Sequence, residues 1–316
     1  MRKAAFFDID GTLYREGLIT EVFKKFITYE LVDENKWHDE VKPSFMKYDR
    51  RQGEYDDYLN KMVEIYKKTL VGLSSEHILH IANTVIKQKG ERVYTFTRDQ
   101  ILKHKEEGTL VIAVSGSPLE LVQAMAQKHQ FDDCRGTTYV TDEHGKYTGE
   151  VIPMWDHRSK KKALLSLAEQ YDIDLSESYA YGDTTGDFTM FELVGHPYAI
   201  NPTKELIEKI RSSEEVSKKI TIIVERKNMI YKLNLDHIQK CLHFAGILTV
   251  DLSFHDFGSF IVGFIIKTSI EIAMHQIVLK RINPYVIQND KVMKVMLIQI
   301  IENLYCTVFT FKFCSA

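Results

Sequence analysis

The chain has 316 residues, 44% of them hydrophobic and 27% charged, with a formal net charge of −3 at pH 7. That balance is ordinary for a globular protein and excludes a disordered chain, and the length suits one large domain or two of roughly 100–200 residues each. A slightly acidic chain gives no sign of the basic face that a nucleic-acid partner usually needs, so no such partner is expected.

Residues 3–9 (KAAFFDI) form a short apolar run ended by Gly11, the pattern of a buried strand. Arg2 and Lys3 mimic the basic start of a signal peptide, but the apolar run stops at Asp8, too early for a secretion signal. Four cysteines (Cys134, Cys241, Cys306, Cys314) stand at no metal-ligand spacing, so reduced thiols and a cytoplasmic location are expected. Residues 16–95 show helical periodicity with little glycine or proline. Val22, Phe23, Phe26 and Ile27 mark one helical face, and Met62, Ile65, Tyr66 and Leu70 another.

From there helices and strands alternate. The pattern predicts a helix over 98–107, a buried strand over 109–114, a helix over 118–129, a hairpin over 137–151 turning at Gly145, and a helix over 159–171. A strand over 178–181, a helix over 186–194, a strand over 197–200, a helix over 203–211 and a strand over 220–224 follow. Such alternation argues for an α/β fold, a doubly wound parallel sheet with helices on both faces. Residues 1–15 and 96–225 are read as the core, 16–95 as a helical cap inserted after the first strand, and 226–316 as a C-terminal extension of unassigned structure. In that extension charges thin out. Its apolar run 260–266 is interrupted by Lys267 and Glu271, well short of the ~18–20 residues of a membrane span. An extra packed subdomain or a non-native extension is preferred there to a tail that touches a membrane or dimerises. The oligomeric state is not set by the sequence.

Four short motifs carry chemistry. Asp8 and Asp10, in DIDGT at 8–12, close the first strand, where ligands bind in an open parallel sheet. One carboxylate can attack phosphorus and the other can move protons; the bland reading is a pair of turn-capping aspartates. Ser115 and Gly116, in SGSP at 115–118, precede a helix whose start Ser117, Pro118 and Glu120 mark as a capping box with proline at the first position. A helix N-terminus can hold an anion there, though plain capping would explain the serines equally well. Of Lys160, Lys161 and Lys162, which open the helix over 159–171, Lys160 is chosen to face the site and neutralise a phosphoryl group; a solvated lysine run is the alternative. Asp183 and Asp187, in GDTTGD at 182–187, follow a strand and suit a hard cation such as Mg²⁺, unless they merely cap a helix. The four motifs fall in order, each at a strand end or the start of an adjacent helix.

That set resembles the haloacid dehalogenase (HAD) superfamily of hydrolases over residues 3 to 225. With VSGSP at 114–118, YAYGD at 179–183 and the insert after the first strand, it looks like subfamily IB, the phosphoserine-phosphatase-like branch. The resemblance implies an Mg²⁺-dependent phosphatase acting on a small phosphomonoester through an aspartyl-phosphate. Asp8 would be the nucleophile and a metal ligand, and Asp10 the general acid and base, with its backbone carbonyl on the metal. Ser115, Gly116 and Lys160 would hold the phosphoryl group. Asp183 would complete the metal site, with Asp187 a direct, water-mediated or lysine-orienting partner. The branch's glutamate nine residues past the nucleophile is Gly17 here, its Asp-Ser-Thr is Asp10-Gly11-Thr12, and its Ser-Gly-Gly is Ser-Gly-Ser, which argues against phosphoserine as substrate. Cap residues would set specificity, with Tyr48, Arg50 and Arg51 among the candidates. The alternatives are a phosphotransferase or phosphomutase sharing the intermediate and, with little weight, a non-enzymatic phospho-acceptor domain.

Overall fold

In a computed structural model that describes residues 1–50 and 52–238, the middle of the sheet is a four-residue strand, β1 (Ala4–Phe7). Every residue of it is buried, as a parallel strand covered on both faces requires. The expected tail beyond 238, its run 260–266, three of the four cysteines and Arg51 lie outside the described residues.

After β1 come α1 (Leu18–Thr28), α2 (Glu34–Lys36), a π-helical turn (Trp37–Val41), α3 (Lys42–Asp49), α4 (Tyr55–Leu70) and α5 (Ser75–Lys89). They are followed by α6 (Thr95–Glu106), β2 (Leu110–Pro118), α7 (Leu119–His129), β3 (Asp133–Thr141), β4 (Tyr147–Ile152) and α8 (His157–Tyr171). The rest is β5 (Tyr179–Gly182), a 3₁₀ turn (Thr185–Asp187), α9 (Phe188–Leu193), β6 (His196–Ile200), α10 (Lys204–Ser212), α11 (Glu214–Lys219), β7 (Thr221–Arg226) and β8 (Met229–Leu233).

The sheet runs β4-β3-β2-β1-β5-β6-β7-β8. Its six inner strands are parallel, and β4 and β8 pair antiparallel at the two edges. Alternate side chains serve opposite faces, as the period of a strand dictates. Phe7, Val111 and Ala113 join a core shared with α1, α4, α5 and α7, while Phe6, Ile112 and Val114 join one shared with α8, α9 and α10. The two expected faces of the insert are indeed buried at Val22, Phe23, Phe26, Met62, Ile65, Tyr66 and Leu70. The turn between α4 and α5 is also tied to the β3–β4 hairpin. Tyr147 N–H donates to the Leu73 carbonyl at 3.0 Å, and Ser75 N–H to that of Gly145 at 2.8 Å.

Several details depart from the sequence reading. The helix expected over 186–194 divides into the 3₁₀ turn and α9. The sheet continues past 225 into β8, an edge strand with four of five residues exposed. The capping box at Ser117 is absent: β2 runs through to Pro118, which itself precedes α7 without a side-chain cap. Ser117 is drawn to a partly buried carboxylate instead, and Glu120 accepts from the Tyr147 hydroxyl at 2.7 Å. A charge-assisted bond is stronger than a neutral cap, so the hydroxyl goes where the charge is.

Candidate active site

β1 has β2 on one side and β5 on the other, so the connections leaving its carboxyl end diverge and open a crevice. Asp8 is the first residue beyond β1, pinned by its N–H to the Tyr181 carbonyl at 2.9 Å. Ser115 lies in the carboxyl-terminal part of β2, and Asp183 directly after β5. Asp156 accepts from the Arg158 and Ser159 amides at 2.8 and 2.9 Å and so starts α8 earlier than the sequence suggested, which puts Lys160 in the helix's first turns.

Lys160 is the hub. It is 3% exposed, and its Nζ donates to Asp8 Oδ1 at 2.7 Å and to Asp187 Oδ1 at 2.5 Å, while Lys161 and Lys162 point to solvent. The other oxygen of Asp187 accepts the backbone N–H groups of Asp183 and Thr184, both at 3.0 Å, and the Thr184 hydroxyl at 3.3 Å. Both oxygens of Asp187 are therefore engaged in shaping the loop and aiming the lysine. Asp183 is held by the Thr12 hydroxyl at 3.1 Å. Its Oδ2 approaches Gly11, where φ is +75° and a Cβ would sit 2.0 Å from that oxygen, so only glycine fits.

Asp10 faces a different set of partners. Leu18 N–H donates to its Oδ1 at 2.6 Å, and the Ser117 hydroxyl to its Oδ2 at 2.5 Å. Ser115 is fully buried beside it, its oxygen accepting from Ser117 N–H at 3.2 Å. Gly116 turns its carbonyl to the Thr137 hydroxyl at 2.7 Å, and a Cβ there would lie 3.0 Å from that of Trp155.

Burial dominates the electrostatics. It pushes the Asp8 carboxyl up to about 8, with Lys160 opposing and Asp187 and Asp10 adding to the rise. Burial likewise raises Asp183 well above the usual carboxylate range, helped by Asp187 and Asp8. It raises Asp10 against the hydrogen bonds from Ser117 and Leu18. For Lys160 burial works against the charge, yet Asp187 and Asp8 outweigh it and the pKa is raised. Four carboxylates thus share one ammonium. One oxygen each from Asp8, Asp183 and Asp187 can come within 4.8 Å of one another, an all-oxygen, electron-rich donor set that fits a hard divalent cation.

The structure therefore brings all seven expected residues to one crevice. Missing from the sequence reading were Thr12, whose place in the first motif marked it, Ser117, which had been assigned to a cap, and Thr184 in the last motif.

The site and its sheet place the chain in a family. A family model of the haloacid dehalogenase-like hydrolases matches residues 5–192, and the chain belongs to that family. Among curated relatives, it is 28% identical over 207 residues to an inhibition of morphological differentiation protein of Streptomyces azureus, covering 65% of this chain and 74% of that one. It is equally similar, 28% over 207 residues, to a probable phosphatase of Mycobacterium tuberculosis, covering 65% of this chain and 71% of the other. A solved structure of a protein of unknown function from Bordetella pertussis shares the fold with a TM-score of 0.55 at 19% identity, covering 67% of this chain and 96% of that one.

Proposed function

We propose that this protein is a magnesium-dependent phosphatase that hydrolyses a small phosphomonoester through an aspartyl-phosphate on Asp8. One observation carries the reading: Lys160 holds the Asp8 carboxylate on one side and Asp187 on the other, while Asp10 stands two residues on, with its carboxyl oriented by separate donors. The probable phosphatase among the relatives adds support.

An oxygen of Asp8 attacks phosphorus as the bond to the leaving oxygen breaks, and Asp10 passes its proton to that oxygen. Asp10, now a carboxylate, takes a proton from water as the water attacks phosphorus. The bond to Asp8 breaks, and inorganic phosphate leaves. Lys160 offsets charge on Asp8 and on the phosphoryl oxygens throughout, and Ser115 with the Gly116 amide receives those oxygens. Asp8, Asp183 and the backbone carbonyl of Asp10 would hold Mg²⁺, with Asp187 acting through Lys160; when bound, the ion supplies charge stabilisation to the transferring group. In this reading residues 16–95 are the cap, a segment of the same packed unit that overhangs the crevice.

Phosphate release from a panel of phosphomonoesters, with Mg²⁺ and with EDTA, tests the proposal. Release should require the metal and should fall at least about a thousandfold in Asp8→Asn, because an amide is a poor nucleophile. Substantial metal-dependent release by Asp8→Asn would refute it.

A further inference from the structure

Gly17 has no backbone reason to be glycine. Its φ of −83° and ψ of 126° are open to any residue. What a side chain would meet is Tyr55, whose hydroxyl oxygen lies 2.7 Å from the Cβ position, with the next neighbour 3.6 Å away. Tyr55 opens α4, and it has reached across the insert to occupy the space above the α1 start. That place adjoins the catalytic acid, since Leu18, the next residue, donates the amide that holds Asp10. The charges of Asp10 and Asp183 reach the Tyr55 hydroxyl and, after burial and Tyr58, help to raise its pKa, as expected of a side chain over the crevice.

Tyr55 is braced rather than loose. Its ring packs edge-on to Tyr58 at 5.1 Å and to Tyr48 at 5.5 Å between centroids. Tyr58 then meets Phe45, and Phe45 meets Trp37, at 5.5 and 5.7 Å. Two arginines of the segments that bound the insert are each paired with a carboxylate. Arg15 pairs with Glu225 at 3.2 Å and Arg92 with Glu16 at 2.7 Å.

We propose that Tyr55 is the specificity-determining residue of the insert, seated where Gly17 leaves room and flanked by Tyr48 and Tyr58, and that the site therefore takes an aryl or apolar leaving group. This rests on the phosphatase reading for the position of the phosphoryl group. A flat or apolar group gains area and edge-to-face contact with the tyrosines. An anionic group there would instead add to the negative charge of Asp10 and Asp183, which reaches the Tyr55 hydroxyl.

The test uses phosphonates, whose C–P bond the reaction does not cleave, so binding is read apart from turnover. Titration calorimetry with Mg²⁺ compares phenylphosphonate with methylphosphonate on the full chain. The wild type should bind the phenyl compound about 10-fold more tightly, and Tyr55→Ala should bring the two within about 2-fold. Gly17→Ala should also narrow the ratio, by displacing the ring, and adding Tyr55→Phe should restore it, because the clash is with the hydroxyl alone. Equal binding of both compounds by the wild type would overturn the proposal, as would a ratio unchanged in Tyr55→Ala. If Tyr55→Ala does not fold, the Gly17→Ala and Gly17→Ala/Tyr55→Phe pair decides by the same ratio. A protein that binds these phosphonates as expected yet releases no phosphate from esters would count against the phosphatase reading and leave this one standing.

Discussion

Lys160 carries one charge between two buried carboxylates, with side-chain exposures of 4% for the lysine, 8% for Asp8 and 0% for Asp187. A buried ion pair of this kind contributes little relative to an apolar core, but removing one member leaves the other uncompensated. Lys160→Met should therefore destabilise the metal-free protein by about 3–5 kcal/mol, read from urea unfolding in EDTA. A loss under about 1 kcal/mol would mean that water enters the crevice and screens the acids. His104 illustrates the opposite case, a buried base with no charged partner. Its Nε2 lies 2.8 Å from the Tyr181 hydroxyl, its Nδ1 has no hydrogen-bond partner, and burial lowers its pKa from 6.5 to about 4. Because the folded pKa is depressed, the unfolded chain binds the proton first as pH falls. The contribution of neutral His104 is complete above pH 6.5 and is lost progressively toward pH 4. Melting temperatures taken between pH 7 and 5 should fall less steeply in His104→Phe than in the wild type.

At the scale of elements, β7 and α6 are joined by a single carboxylate. Glu225 accepts from the amides of Thr95 and Phe96 at 3.0 and 2.8 Å, capping α6 from across the sheet, and its side chain is 3% exposed. Charged acceptors on a helix N-terminus are favoured by the orphan amides and by the dipole. Glu225→Ala should cost about 1.5–3 kcal/mol in urea unfolding, with hydrogen exchange rising first in α6. Exchange rising elsewhere instead would show that the cap is dispensable. Nothing in the sequence signals this link, because its two ends are separated by some hundred and thirty residues. The same limit explains what else stayed hidden. Strands β1 and β2 were legible because both of their faces are buried and largely apolar, and β7 was legible from its apolar run Ile222, Ile223 and Val224. MIYKL at 229–233 was not, since an exposed edge strand needs no buried face and shows no clean alternation. EEVSKK at 214–219 is too short to display a helical period. Ser117 matched a cap by its neighbours in sequence, while its true partner, Asp10, lies 107 residues earlier.

For the whole molecule, the order of motifs along the chain and the order of strands in the sheet say the same thing. Asp8, Ser115 and Asp183 come from β1, β2 and β5, three adjacent strands, and Lys160 reaches in from the helix that precedes β5. That convergence could be read from sequence, because each motif followed a recognisable strand. The side chain that the insert lends to the crevice could not, because helical periodicity identifies the buried face of α4 and is silent on which residue at its start meets Gly17. The central claim is that Asp8 is the residue that becomes phosphorylated. The most direct test is an acid quench of the Asp10→Asn variant during turnover of p-nitrophenyl phosphate with Mg²⁺, followed by peptide mass spectrometry. Without the residue that activates water, breakdown should slow by about 10²–10⁴-fold, and phosphate should be found on the peptide carrying Asp8 and be absent when EDTA replaces the metal. Metal-dependent release of phosphate with no phosphorylated Asp8 at any quench time, or phosphate found on another residue, would contradict it.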